Sequence, residues 1–452
     1  MKRTRQIFAL VLALIMALSL VACGGNSATP AQDSAPAEGT SAPAEDSATP
    51  VEDNASTEVV KVGSLWPLTG GSASIGQEHA DGVEMAIAEI NANGGIKSMN
   101  GAKIELVVAD TETSPDQGAI ACERLITDEN VSMILGAYNS TVCIAASEVA
   151  QRYHIPFVSM GGVATAITNR GYEYVFRVNN TATNDVQEML VALDDISAEY
   201  DIDTINYALV YENSDWGADN ARIWKEEADA RGWTCVLDEP VTSGQADMTS
   251  QILKIKQSGA DLVNVSLYAE DAIVFTNALY ANQVDLPLGV WSVGGGWQDA
   301  AFLQNLDPSF YEYHFVQEDW DVAGPLNHPW IAELSEQVEA KYGYPLTSFF
   351  AQGWTDAYVA YYALEAAGSA DPDAIRDALA GLEIYNSEDE RALLTGYGAV
   401  VFDENGQNTY NGGNTGGTIV QYQDGKPIGL YPESHRMPGA QVVLPIPNYA
   451  DR

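Results

Sequence analysis

Cations are scarce in this 452-residue chain: 21 Lys and Arg stand against 63 Asp and Glu, for a formal net charge of -42. A surface so acidic repels nucleic acid and anionic lipid headgroups, and scattered acids of this kind suit solubility outside the cell. Cysteine is nearly absent, with four residues and no CxxC spacing, which argues against a disulfide framework or a zinc site. Setting Cys23 aside, Cys122, Cys143 and Cys235 remain; a Cys122–Cys143 bridge and buried free thiols both fit. The histidines (His79, His154, His314, His328, His435) show no metal spacing. There is no G-x-S-x-G, no P-loop and no G-x-G-x-x-G, which argues against a serine hydrolase and a nucleotide enzyme. Gly70, Gly71 and Gly76 have the wrong spacing, and the next strand-end acid, Asp110, lies about forty residues past Gly70 rather than about twenty. Asp403-Glu404-Asn405-Gly406 starts like a calcium loop but lacks the later ligands, so it reads as a turn. No catalytic residue, cofactor or metal is expected.

Long apolar runs are missing too, apart from residues 7–22. These come after the basic start Met-Lys-Arg-Thr-Arg and end in small residues, which predicts a signal peptide over 1–22 rather than a membrane span. Leu20-Val21-Ala22-Cys23 is similar to the lipobox of bacterial lipoproteins; the alternative is an ordinary signal peptide with a chance cysteine. The resemblance implies cleavage before Cys23 and its acylation, with the acyl anchor as the only membrane attachment. Cleavage also removes Lys2, Arg3 and Arg5, so the mature chain is more acidic still. Residues 23–57 hold the acylated Cys23 and then almost only Gly, Ser, Ala, Thr, Pro, Asp and Glu, a solvated tether. The remaining chain, roughly 395 residues, is too long for one core and predicts two lobes.

The folded part alternates strands and helices. Residues 131–163 are its most informative stretch: an apolar run to Gly136, a polar loop Asn139-Ser140-Thr141, a helical pattern, then Pro156 and a short run into Ser159-Met160-Gly161-Gly162. That is a βαβ unit, which requires a parallel sheet, and ligands sit at the carboxyl ends of such strands. The alternation resumes with strands predicted at 205–211, 233–237, 261–267 and 288–292, giving a second parallel sheet with helices on both faces. Three late helices, at 329–341, 347–367 and 372–382, are expected to return to the first lobe. Crossings near 178–184, 313–317 and the mid-390s form a hinge. The predicted class is α/β, two doubly wound parallel-sheet lobes: 58–180 with about 318–395, and 181–317 with about 396–452.

Several motifs carry a resemblance. Leu65-Trp66-Pro67-Leu68-Thr69-Gly70 with Ile75-Gly76-Gln77, Ile87-Ala88-Glu89-Ile90-Asn91-Ala92-Asn93-Gly94-Gly95-Ile96, Thr168-Asn169-Arg170-Gly171-Tyr172 and Phe402-Asp403-Glu404-Asn405-Gly406 resemble the leucine/isoleucine/valine-binding class. These are type I periplasmic solute-binding proteins of ABC importers. The resemblance spreads from residue 59 to about 430. It implies two lobes closing on a small solute, a branched-chain amino acid or a related carboxylate or amide, and delivery to a permease and ATPase complex. It also implies a monomer, lipid-anchored to the outer face of the cytoplasmic membrane. A ligand-binding sensor with the same fold is the alternative.

Carried over by position, the resemblance puts a ligand carboxylate on Ser140, Thr141, Gly161 and Gly162, where donors at a helix start suit an acceptor group. Ser140 reads equally as a helix cap. A family hydroxyl falls on Val163, and the family glutamate after the 288–292 strand is absent. Asp185 is a candidate counter-ion or simply a helix-start acid. Trp216 and Tyr268 match two cleft tyrosines, while Trp66, Trp291 and Trp297 either line an aromatic cleft or pack in the core.

Overall fold

The computed structural model describes residues 58–410 and 415–451. The expected signal peptide, Cys23 and the tether lie outside those residues.

Lobe 1 starts with β1 (Val59–Trp66), α1 (Ala73–Ala92), β2 (Lys103–Asp110), α2 (Pro115–Thr127), β3 (Met133–Gly136), α3 (Ser140–Tyr153), β4 (Phe157–Ser159) and β5 (Val175–Arg177). Its strands pair wholly in parallel, in the order β2-β1-β3-β4-β5. Lobe 2 continues with α4 (Ala182–Glu199), β6 (Asn206–Glu212), α5 (Asp215–Ala230), β7 (Thr234–Val241), α6 (Thr249–Ser258), β8 (Leu262–Ser266), α7 (Ala269–Ala281), β9 (Gly289–Ser292), α8 (Ala300–Asn305) and β10 (Phe315–Glu318). The chain then returns to lobe 1 through α9 (Gly324–Asn327), α10 (Pro329–Tyr342), α11 (Ser348–Ala367) and α12 (Pro372–Ala380), with a small antiparallel pair β11 (Glu383–Tyr385) and β12 (Ala399–Val401). It ends in lobe 2 with β13 (Thr418–Gln423) and β14 (Lys426–Tyr431). Two lobes and three crossings result.

The second sheet runs β14-β13-β10-β9-β8-β6-β7. Five strands are parallel and the last two form an antiparallel hairpin on β10. Asp424 and Gly425 make that hairpin's turn, both at positive φ (51° and 72°), the backbone that a tight two-residue connection demands. Residues 315–318 form a full strand as well as a crossing, being too short to show alternation in sequence. The last crossing comes later than the mid-390s. The backbone of Arg177 is held by Gly406 and Asn408 (2.7 and 2.9 Å), so residues 399–408 stay beside the first sheet.

The late helices do return to lobe 1, and the interlock is close. A Cβ on Gly82 of α1 would stand 2.3 Å from the Phe350 carbonyl oxygen of α11, and one on Gly353 would stand 2.1 Å from that of His79. Each helix gives up a side chain where the other's backbone passes. This seats the first turns of α11 beneath the cleft. Cys122, Cys143 and Cys235 are free thiols, and burial pushes the first two up to about 12 and about 11. Among the described residues no helix is long and apolar enough to cross a membrane.

Candidate functional site

Parallel strands aim their carboxyl ends at one edge, and here the two edges face each other. Between them lies a cavity of about 20 Å³, room for little more than one water molecule, so the lobes stand closed. Lobe 1 contributes Tyr138, Gly161 and Val163 from the β3 and β4 ends. Lobe 2 contributes Trp216, the Val293-Gly294-Gly295 loop after β9, and Gln298. The floor comes from the crossings and α11: Asp185, Gln317, Asp319, Phe349 and Gln352. Grooves of about 490 and 550 Å³ lie elsewhere, lined by residues such as Val191 and Tyr431 or Glu173 and Arg376. They sit away from the strand ends, whereas both lobes and the hinge converge on the small cleft, which makes the cleft the candidate site.

Contacts across the cleft tie the lobes together. Tyr138 of lobe 1 meets Tyr268 of lobe 2 edge-on at 5.5 Å, and Tyr268 stacks on Trp216 at 4.6 Å. Behind Tyr138, the His79 ring (5.5 Å) stacks on Trp66 (4.7 Å), which completes an aromatic file through both lobes. On one flank Ser74 donates its hydroxyl to Asp299 (2.5 Å), and the Ala300 N–H donates to Glu78 (3.0 Å). On the other, Thr165 bonds Asp219.

The floor is acidic. Asp319 accepts from the Gln317 and Gln352 amides (2.9 and 2.8 Å). Burial, then the neighbouring Asp319 and Glu188, hold the Asp185 carboxyl well above the usual carboxylate range. Burial also raises Asp319, and lifts Glu188 to about 7 and Glu318 to about 8. Arg177, 1% exposed, offsets Asp185 only in part. Its guanidinium is spent on the Ala164 carbonyl (2.8 Å), Gln407 and Thr168.

Gly161, Val163, Asp185 and Trp216 therefore line the cavity, with Tyr268 one layer behind against Trp216. Ser140, Thr141 and Gly162 do not line it. The cap position belongs to Asn139, which makes no side-chain cap bond; the Ser140 hydroxyl instead accepts the Ala164 N–H (3.2 Å) and braces the Gly161–Ala164 loop. Gly162 is a packing residue, since a Cβ there would come within 2.7 Å of Cys143 and Ile167. The expectation that Trp297 faces the cleft is corrected. It is 0% exposed, donates to His314 Nδ1 (3.1 Å) and packs with Phe275 and Phe302. Gly294 and Gly295, both at positive φ (58° and 65°), turn the loop so that backbone meets Trp216 and the indole points inward. Trp66 and Trp291 are likewise core residues. Tyr138, Gln298, Asp319, Phe349 and Gln352 are lining residues that sequence reasoning missed, as are Gln317 and the Val293-Gly294-Gly295 loop. Among the described residues no cluster of His, Cys, Asp and Glu is placed to hold a metal ion.

The profile of the family described as periplasmic binding protein matches residues 59–426. The chain is 34% identical over 388 residues to a Leu/Ile/Val-binding protein homolog of Brucella abortus, covering 83% of this chain and 91% of that one. Its fold is similar to a branched-chain amino acid transporter substrate-binding protein of Streptococcus pneumoniae, solved with isoleucine (TM-score 0.68, 21% identity, 82% of this chain and 98% of that one). It is also similar to a solute-binding protein of an ABC transporter from Rhodopseudomonas palustris, solved with 3,4-dihydroxybenzoic acid (TM-score 0.66, 21% identity, 83% and 95% covered). A two-lobed cleft closed at the strand ends, matched along nearly its whole folded length, places this chain in the periplasmic binding protein family.

Proposed function

We propose that this protein is the extracytoplasmic solute-binding component of an ABC importer, taking a small amino-acid-like solute between its lobes and delivering it to the permease. An acylated Cys23 would hold it at the outer face of the cytoplasmic membrane, with residues 24–57 as its tether. One observation carries the reading: the cleft is walled by strand ends from both lobes and floored by the crossings, so a bound solute touches every part that moves. A solute gripped by both lobes favours the closed form by its differential affinity for the two states. The permease then has a closed shape to recognise. The Brucella relative's name and the isoleucine neighbour support an amino acid or a close analogue as the solute.

The test is a thermal-shift screen of amino acids, amides and aromatic acids on the whole mature protein, because a ligand that binds only the folded state raises its melting temperature. Uptake of the identified solute should fall when the gene is deleted. Binding without any loss of uptake would replace import by sensing.

A further inference from the structure

Closing the lobes brings two carboxyls together from opposite sides. Glu78 stands on α1 of lobe 1 and Asp299 caps α8 of lobe 2; they are 2% and 0% exposed. Each is held by groups of both lobes. Glu78 accepts the Ala300 N–H of lobe 2 (3.0 Å) and the Thr347 hydroxyl of lobe 1 (2.6 Å). Asp299 accepts the Ser74 hydroxyl of lobe 1 (2.5 Å) and the Ala301 N–H of its own helix (2.6 Å). The two carboxyls also hydrogen-bond each other. An ionised carboxylate only accepts, so two of them can bond only with a proton between them. Neither is in an ion pair with a Lys or Arg of the described residues; Lys341 of α10 pairs with Glu84 instead (2.9 Å).

The surroundings leave that proton as the counter-charge of the pair. Along α1, Asp81 adds to the repulsion on Glu78, and it accepts from Gln77 and from Tyr344 before α11 (2.8 Å each). His79, on the same helix, is pulled down to about 4 by burial and stays neutral. From the crossing, Glu318 accepts from Ser348 (2.5 Å), next to Thr347, and Asp319 accepts from Gln352 (2.8 Å). The Tyr138 phenol, at the β3 end, is held well above its ordinary range by burial and stays neutral. Burial and Asp299 hold Glu78 well above the usual carboxylate range, and burial lifts Asp299 to about 6. The opposite flank differs. There Asp219 takes the Thr165 bonds while paired with Arg222 (2.6 Å), so its charge is already balanced.

We propose that Glu78 and Asp299 form a proton-operated latch: the lobes close by taking up one proton between these carboxyls and open by returning it to water. This rests on the reading of two lobes that close on a solute, and it adds a control on that closure. In the open form each carboxyl meets water and ionises near its ordinary pKa. At neutral pH the closed form then holds one proton more than the open form. The latch contributes fully below the open-state pKa values and is lost as pH climbs through the closed-state ones, so acid favours capture and alkali favours release. Neither carboxyl lines the solute cavity, so the latch acts on closure whichever solute is bound.

The test is small-angle scattering on the mature protein without added solute, at pH 5.5 and pH 8. The wild type should have the smaller radius of gyration at pH 5.5. Glu78→Gln and Asp299→Asn keep hydrogen-bonding groups of the same shape but need no shared proton, so both should change less with pH and stay more compact at pH 8. Circular dichroism and cooperative melting identify the folded variants, and either one decides. Glu84→Gln, exposed on the same helix, should retain the wild-type profile. With a solute from the thermal-shift screen, the ratio of affinities at pH 6 and pH 8 should be at least threefold larger in the wild type than in either carboxyl variant. A wild-type radius that ignores pH, or a change of equal size in both carboxyl variants, overturns the latch and leaves solute binding standing. Failure of every solute in the screen overturns solute binding itself, while the scattering still judges the latch.

Discussion

Thr165 donates both its backbone N–H (3.0 Å) and its hydroxyl (2.8 Å) to a single carboxylate oxygen of Asp219, and the two residues belong to different lobes. Together with Ser74 and Asp299 on the opposite flank, they latch the cleft at both ends. Hydrogen bonds to a charged group contribute about 1.5–3 kcal/mol, and partial exposure reduces this to about 1 kcal/mol for closure. Asp219→Ala should therefore weaken solute binding about fivefold, mainly through faster release. Stopped-flow dissociation rates check this, and small-angle scattering should show a larger open fraction.

Trp216 forms the lobe 2 wall and leans its far face on Tyr268. Trp216→Phe retains a ring for stacking and should keep affinity within a few-fold. Trp216→Ala removes the wall, and loss of about 1.4 kcal/mol, tenfold in Kd, is expected. Calorimetry with the identified solute measures both. Equal binding by the alanine variant would remove Trp216 from the site.

Stability should rise as the pH falls from 8.5 to 6.5. Burial lifts Asp299 to about 6, Glu188 and Glu212 to about 7, and Glu318 to about 8, all above their ordinary values. For a raised carboxyl the stabilising contribution is full below its unfolded pKa and is lost as pH climbs through the folded one. His79 works in the opposite sense. Burial pulls it down to about 4, so its contribution is full above 6.5 and is lost on acidification toward 4. Asp219 is also held low: burial raises it, but the Thr165 and Arg222 bonds outweigh that, so this latch weakens in acid. Melting temperatures across pH 4–8.5 should form a dome with its maximum between 5 and 6.5. A steady rise toward pH 8.5 would show that these acids are not buried in the native protein.

The α1–α11 interlock gives a stability test remote from the cleft. Gly353→Ala forces a Cβ to within 2.1 Å of the His79 carbonyl oxygen, where only backbone can yield. Overpacking of this kind costs about 1–3 kcal/mol, and the helices should separate enough to lower the denaturation midpoint. Gly381→Ala, whose nearest neighbour would be 3.8 Å away, serves as the control with little change.

Local chemistry was the part of this structure that could be read from sequence. The alternation of apolar runs and helical patterns placed most strands and helices to within a few residues, because parallel strands buried on both faces are apolar throughout. Gly161, Val163 and Trp216 were reachable through positions the family resemblance carries over, and Asp185 as an acid at a helix start on the connection between lobes. Asp319 and Gln352 were not, since their meaning lies in a contact between a crossing and a helix that begins after it. Trp297 misled because its orientation depends on two backbone turns that composition does not show. A strand at 417–422 was legible, but its hairpin partner β14 was passed over although Asp424-Gly425 announces the turn.

The pairing of α1 with α11 also sets an order of assembly. The first lobe's opening helix meets its partner only after the chain has been made through Ala367, by which point most of the second lobe's strands exist. Phe349 and Gln352 ride on that late helix, so the pocket floor is the last part of the site to be completed. A nascent chain stopped before Ser348 would present the Gly82 face of α1 to water and have no floor on which to receive a solute. Capture is thus withheld until the chain is nearly whole.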